Sequence, residues 1–281
     1  MKKKILSALI FSVFSLSQAQ VFEVEKNDSL NKNIQTQNNQ SQNQSDDDDV
    51  IIDKSKDEVI IEAKPIASVD KWMSTVQAKE RNYSQIEEML KNGQNANQGI
   101  FEGSSMLHLA AWQNDEKLFS LGMSYGGNIS ILNKNGETPL HWAAYSKNPN
   151  IIKMALSDKN ALKLINKINK NGRNVFHFNA LQWGNIDIAK TLISAKADIN
   201  VKDNNGQTPL HYAVALRRWD LAKLYIMSGA DTKIKDNSGD AFDEYLMRNG
   251  DIEGYKILYS YLTPENQAII KAKLSPLNVL P

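Results

Sequence analysis

The chain has 281 residues, 41% of them hydrophobic and 23% charged, which is enough apolar material for a sizeable core. Its net charge of +1 excludes the strongly basic balance that nucleic-acid binding needs. It has no cysteine, so disulfides, thiol chemistry and attachment as a lipoprotein are all excluded.

In chain order, Met1-Lys2-Lys3-Lys4 is a basic start and Ile5 to Leu16 an apolar run broken only by serines. Ser17-Gln18-Ala19 then offers small residues at both cleavage-determining positions. The apolar run is too short to span a bilayer, so residues 1–19 are expected to be a cleaved export signal. Removal leaves 30 basic against 32 acidic side chains, a net −2. The mature protein is expected in the periplasm, or secreted beyond the cell, and off the membrane.

Residues 20–66 predict a disordered tether. Nineteen of the 23 positions from 27 to 49 are Asn, Gln, Ser or Asp, too little apolar surface to offset the entropy of ordering. Asp46-Asp47-Asp48-Asp49 does not begin a calcium loop, because Ile51 stands where that loop needs glycine. Val50-Ile51-Ile52 and Val59-Ile60-Ile61 are β-prone runs that could pair as a hairpin, add to a partner, or stay loose.

Helical periodicity starts near Val69, with Trp72, Met73 and Val76, then Ile86, Met89 and Leu90 after a break at Asn82. This pair reads as a degenerate end-capping repeat. Beyond it one helix-start string recurs: Asn135-Gly136-Glu137-Thr138-Pro139-Leu140-His141, and again Asn205-Gly206-Gln207-Thr208-Pro209-Leu210-His211. Asn-Gly supplies a tight turn, threonine a cap, and proline a first helical residue that needs no N–H partner. Worn copies surround His108 and His177, so all four histidines occupy one slot. The glycines at 103, 136, 172, 206 and 239 share that period.

Period and string together resemble the ankyrin repeat. Gly184-Asn185-Ile186-Asp187 and Gly250-Asp251-Ile252-Glu253 look like that family's link into its second helix, and Ser228-Gly229-Ala230-Asp231 like its helix exit. The resemblance implies an all-α solenoid over residues 67–274, with about five to six helix–turn–helix repeats and β-turn fingers. Repeats are expected near 69–99, 100–132, 133–168, 169–202, 203–235 and 236–262, with a capping helix at 263–274. It further implies a non-catalytic, monomeric scaffold without a cofactor, whose partner is another protein. Support of catalase in peroxide defence, a host-directed or toxin-neutralising role outside the cell, and last an enzyme with an unrecognised site are the alternatives for its task.

The family's partners are held by turn tips and by the exposed side of each first helix. Carried over to this sequence, those slots give Lys134, Lys170 and Arg173 on the rim and Trp112, Tyr145, Leu181 and Gln182 on the helices, beside the extra residue Trp183. Trp112 and Tyr145 are expected to face solvent as the interface centre. His108, His141, His177 and His211 are expected to be structural. One slot translated through stacked helices sets the rings ~8–10 Å apart, too far to share a metal. The Walker, nucleophile-elbow and dinucleotide motifs are all missing.

Three departures stand out. Asn179 occupies a slot that is alanine in most sibling repeats, and is expected to find a partner in the adjacent repeat. The second repeat is three residues longer, implying an extended helix or a bulged loop between Leu156 and Asn169. After Thr263-Pro264-Glu265, Ile269, Ile270 and Leu274 are expected to close the C-terminal end.

Overall fold

A computed structural model describes residues 68–275; the expected export signal, the tether and its two β-prone runs lie outside the described residues. Within them the chain is a stack of helix pairs with no strand. The first pair is α1 (Val69–Gln77) and α2 (Tyr83–Lys91). Inner helices follow as α3 (Met106–Trp112), α5 (Pro139–Tyr145), α8 (Val175–Leu181), α10 (Pro209–Ala215) and α12 (Phe242–Asn249). Each is paired with an outer helix: α4 (Glu116–Ser124), α6 (Pro149–Leu156), α9 (Ile186–Ser194), α11 (Trp219–Met227) and α13 (Ile252–Leu258). Inner helices pack on inner and outer on outer, and α14 (Pro264–Leu274) ends the stack.

Inner helices of seven or eight residues are too short to be stable alone in water, so stacking has to hold them. The core is one continuous apolar cluster running from Trp72 and Ile86 through Phe119, Ile151, Phe176, Leu210 and Leu246 to Leu274. The second repeat's extra length forms a separate short helix, α7 (Ala161–Leu164), rather than a longer α6 or a bulge. The Asp158 carboxylate accepts the Asn160 N–H at 2.7 Å, a local turn that interrupts the helix before α7 buries Ala161. At the C-terminal end Ile270 and Leu274 are buried but Ile269 is exposed, correcting the expectation for that residue. Only the i, i+4 pair shares the face turned to the stack.

Histidine ties each repeat to the next. The Nδ1 atoms of His108, His141, His177 and His211 accept the cap N–H of Ser105, Thr138, Asn174 and Thr208 at 3.0–3.2 Å. On the far side their Nε2 atoms lie 3.0–3.3 Å from the carbonyls of Glu137, Arg173, Gln207 and Asp240, one repeat on. A carbonyl only accepts, so Nε2 carries the proton and each ring is neutral. In the fifth repeat Glu244 fills the slot and accepts the Ala241 N–H at 2.9 Å; among the described residues no further finger follows for it to reach.

The fingers stack through one backbone bond per step. Lys134, Lys170, Asn204 and Asn237 donate to the carbonyls of Glu102, Asn135, Asn171 and Asn205 at 2.8–3.0 Å. Glycine is required at this approach: Gly172 has φ +77°, and a Cβ there would lie 2.8 Å from the Asn204 nitrogen.

Asn179 is buried and fully engaged. Its Nδ2 donates to the Asn185 carbonyl at 3.1 Å, and its Oδ1 lies 2.9 Å from the hydroxyl of Tyr225 in the next repeat. Tyr225 is itself buried, edge-on to Phe176 with ring centroids 5.4 Å apart. Replacing Asn179 with alanine is expected to cost about 1–3 kcal/mol in urea unfolding, and a cycle with Tyr225→Phe should show the two costs to be coupled. An Asn179→Ala protein with a raised midpoint would show the amide to be a burden.

Burial holds the His108, His141 and His177 rings down to about 4, and lowers His211 in the same direction. Protonation therefore favours the unfolded chain, whose histidines titrate near ~6.5. The stability owed to neutral rings is complete above that pH and drains away as pH falls toward 4. Urea midpoints should drop over this window, and imidazole proton shifts of the folded protein should stay flat from pH 8 to about 5.5. His211→Ala, losing ring and bridge together, should cost about 1–3 kcal/mol at pH 8.

Candidate protein-binding face

The inner helices present a column that sequence inspection passed over. One residue beyond the four histidines, and beyond Glu244 in their slot of the fifth repeat, stand Leu109, Trp142, Phe178, Tyr212 and Tyr245. The histidine of one repeat meets the aromatic of the next edge-on: His141 with Phe178 at 5.0 Å, His177 with Tyr212 at 5.2 Å, His211 with Tyr245 at 5.1 Å. Their polar heads point inward. Trp142 donates to Glu137 at 3.0 Å, Tyr212 to Asp203 at 2.7 Å and Tyr245 to Asp236 at 2.6 Å. Burial pushes both tyrosine hydroxyls well above their ordinary range, so they remain donors.

The finger's first residue answers to this column. Asn133, Asn169, Asp203 and Asp236 each accept the N–H groups two and four residues on, closing the finger. Aspartate stands there where the column holds tyrosine, and asparagine where it holds Trp142 or Phe178. A hydroxyl needs a spare carboxylate oxygen; a ring without one does not. The signal was present in the sequence, in the same period as the histidines.

Trp112 and Tyr145 end α3 and α5, and both are half-buried rather than facing solvent. Tyr145 packs edge-on against Trp142 and Phe178, with centroids 5.6 and 6.4 Å away, and its hydroxyl donates to Gln182. Leu181 is half-buried at the end of α8. Gln182 is held from both sides, its carbonyl accepting Arg218 at 2.8 Å. Tyr145 and Gln182 are thus brought together in one aromatic and polar cluster.

Trp183 lies on the α8–α9 link, 47% exposed, with the Lys147 ammonium 3.4 Å above its ring. Lys134 and Lys170 are exposed on the tips, and Lys134 pairs with Glu102 at 3.1 Å. Arg173 is not a free rim cation: its guanidinium lies largely covered, 3.8 Å from Asp203 and 5.4 Å from the Tyr212 ring. Phe101, on the first turn tip, is exposed; the exposed Leu132 and Ile168 were missed, because a lone leucine or isoleucine before a finger carries no mark of its exposure.

Among the described residues no three of His, Asp or Glu gather as metal ligands, and no helix is long and apolar enough to cross a membrane.

The family model for ankyrin repeats, in three copies, matches residues 73–163 and 157–236, more than half of the chain. Over 113 residues the chain is 33% identical to the ankyrin repeat protein FPV223 of fowlpox virus, covering 40% of this chain and 75% of that protein. It is 30% identical over 135 residues to the nuclear factor NF-kappa-B p105 subunit of Gallus gallus, 46% of this chain but 13% of that one. With the E3 ubiquitin-protein ligase KEG of Arabidopsis thaliana it shares 31% over 116 residues, only 7% of that protein. The chain thus spans only a small part of the length of the last two. Repeat phase, bridging histidines, stacked fingers and family match agree: the chain belongs to the ankyrin-repeat family.

Proposed function

We propose that this protein is an exported, non-catalytic scaffold that grips another protein across the fingers and inner helices of its first three repeats. One observation carries the placement. Phe101, Leu132 and Ile168 are about half exposed; Phe101 stands in the first finger, and Leu132 and Ile168 directly precede the fingers of repeats two and three. The slot of Leu132 and Ile168 holds Lys202 and Lys235 farther along. Exposed apolar side chains in a row are what a partner covers, and Trp112, Tyr145 and Trp142 lie on the inner helices of the same repeats. Export is supported by the basic and apolar N-terminus with its small-residue cleavage site, which favours a periplasmic location.

The test is binding by the mature protein to the partner it captures from periplasmic extract. Trp112→Ala, and the pair Leu132→Asp with Ile168→Asp, should each weaken binding by about 2 kcal/mol or more with circular dichroism unchanged. Tyr145→Ala should weaken it too but also lower stability, because that ring packs on Phe178. Lys134→Ala should cost less and chiefly change the salt dependence. Full affinity in the Trp112 and the Leu132/Ile168 variants would move the interface elsewhere.

Cell fractionation tests the export half. The protein should be recovered from the periplasm with Gln20 at its N-terminus. An intact chain beginning at Met1 in the cytoplasm would remove that part of the proposal.

A further inference from the structure

The finger row changes character midway. Asn133, Asn169 and Asp203 are buried, so their neighbours Leu132, Ile168 and Lys202 emerge on the opposite side of the extended run, with Lys235 exposed in the same slot one repeat on. Two apolar side chains thus adjoin two cations. Lys202 donates to the Lys235 carbonyl at 2.9 Å, which holds it along the row. Lys170 is exposed on the finger of the third repeat, and Arg173 lies three residues on in that finger.

Acids and bases on this face are disposed oppositely. Asp203 and Asp236 are taken up by Tyr212, Tyr245 and finger N–H groups, and Glu137 by Asn133, Asn169 and Trp142. Asp240 pairs with Arg248 at 2.7 Å. The cations Lys170, Lys202 and Lys235 have no carboxylate within ion-pair distance among the described residues. Arg173 Nε is buried without a hydrogen-bond partner, its 3.8 Å to Asp203 being too long for one. In the same slot of the next repeat the Oε1 atom of Gln207 is likewise buried and unfilled.

We propose that this strip takes an extended acidic segment of the partner, its carboxylates on Lys170, Lys202 and Lys235 and its apolar side chains on Leu132 and Ile168. Lys202 is already held along the row by the Lys235 carbonyl, so little order is lost when an acid arrives. The inference rests on the scaffold reading above and narrows its partner to a protein with such a segment.

Fluorescence anisotropy on the mature protein tests it, with short labelled peptides that alternate aspartate with leucine, and counterparts carrying asparagine, lysine or phosphoserine for aspartate. The aspartate peptide should bind about tenfold tighter than the asparagine one, and more weakly as salt rises. Lys170→Ala with Lys202→Ala should remove about tenfold of that affinity. Lys170→Glu with Lys202→Glu reverses charge on these exposed positions and should abolish the preference for aspartate. Equal binding of the aspartate and asparagine peptides, or tighter binding of the phosphoserine one, would overturn the proposal. So would a captured partner that ignores the lysine reversals yet is lost on Leu132→Asp, an outcome that leaves the scaffold reading standing.

Discussion

The bond from each histidine Nε2 to the carbonyl of the next finger is the contact on which the stack depends. A single neutral ring closes its own helix start and anchors the turn that follows, so local and inter-repeat order form together. No inner helix is long enough to persist alone, and each finger, closed by its own first residue, is joined to the next by a backbone bond. Stability is therefore shared between adjacent repeats, in the manner of a one-dimensional array. The price is pH sensitivity, because a ring buried as a base is least welcome when protonated.

An array must also end. At the N-terminal side the Arg81 guanidinium and the Tyr83 hydroxyl both reach Asp115, at 3.1 and 2.8 Å, joining the polar outer pair to the first full repeat. At the other end Asp243 is buried and accepts from Asn266 at 2.9 Å, which fastens α14 over the last pair. Glu244 closes its own helix start in the histidine slot without reaching beyond it. Both ends thus replace the repeating bond with polar contacts that have no onward direction.

Between the ends, the inner-helix column shows how a face can be aromatic without being greasy. Trp142, Tyr212 and Tyr245 bury their rings against the preceding histidine or neighbouring aromatics and spend their polar heads on inward carboxylates. What is left outward is the edge of the fingers, apolar at Leu132 and Ile168 and basic from Lys170 onward. The protein's own acids are consumed in holding the fingers closed. Recognition on this face falls to the residues that the fold does not need.

The architecture was determined by the sequence alone, because each repeat restates the same local physics. Turn glycine, cap, proline and histidine recur at matched spacing, and that spacing already says that repeats stack. Asn179 could likewise be marked as an amide in an apolar slot. Only the folded chain decided that its acceptor would meet Tyr225, forty-six residues on, since nothing local links an outer-helix tyrosine to an inner-helix amide. The same holds for the face. Arg173 reads as a rim cation from its tip position, yet Asp203 and Tyr212 of the next repeat cover it. Trp112 and Tyr145 read as solvent-facing from their slot, yet both are half-buried, and Tyr145 packs against the Phe178 ring of the next repeat. Exposure depends on what the neighbouring repeat places alongside, and that is a property of the stack rather than of any one repeat.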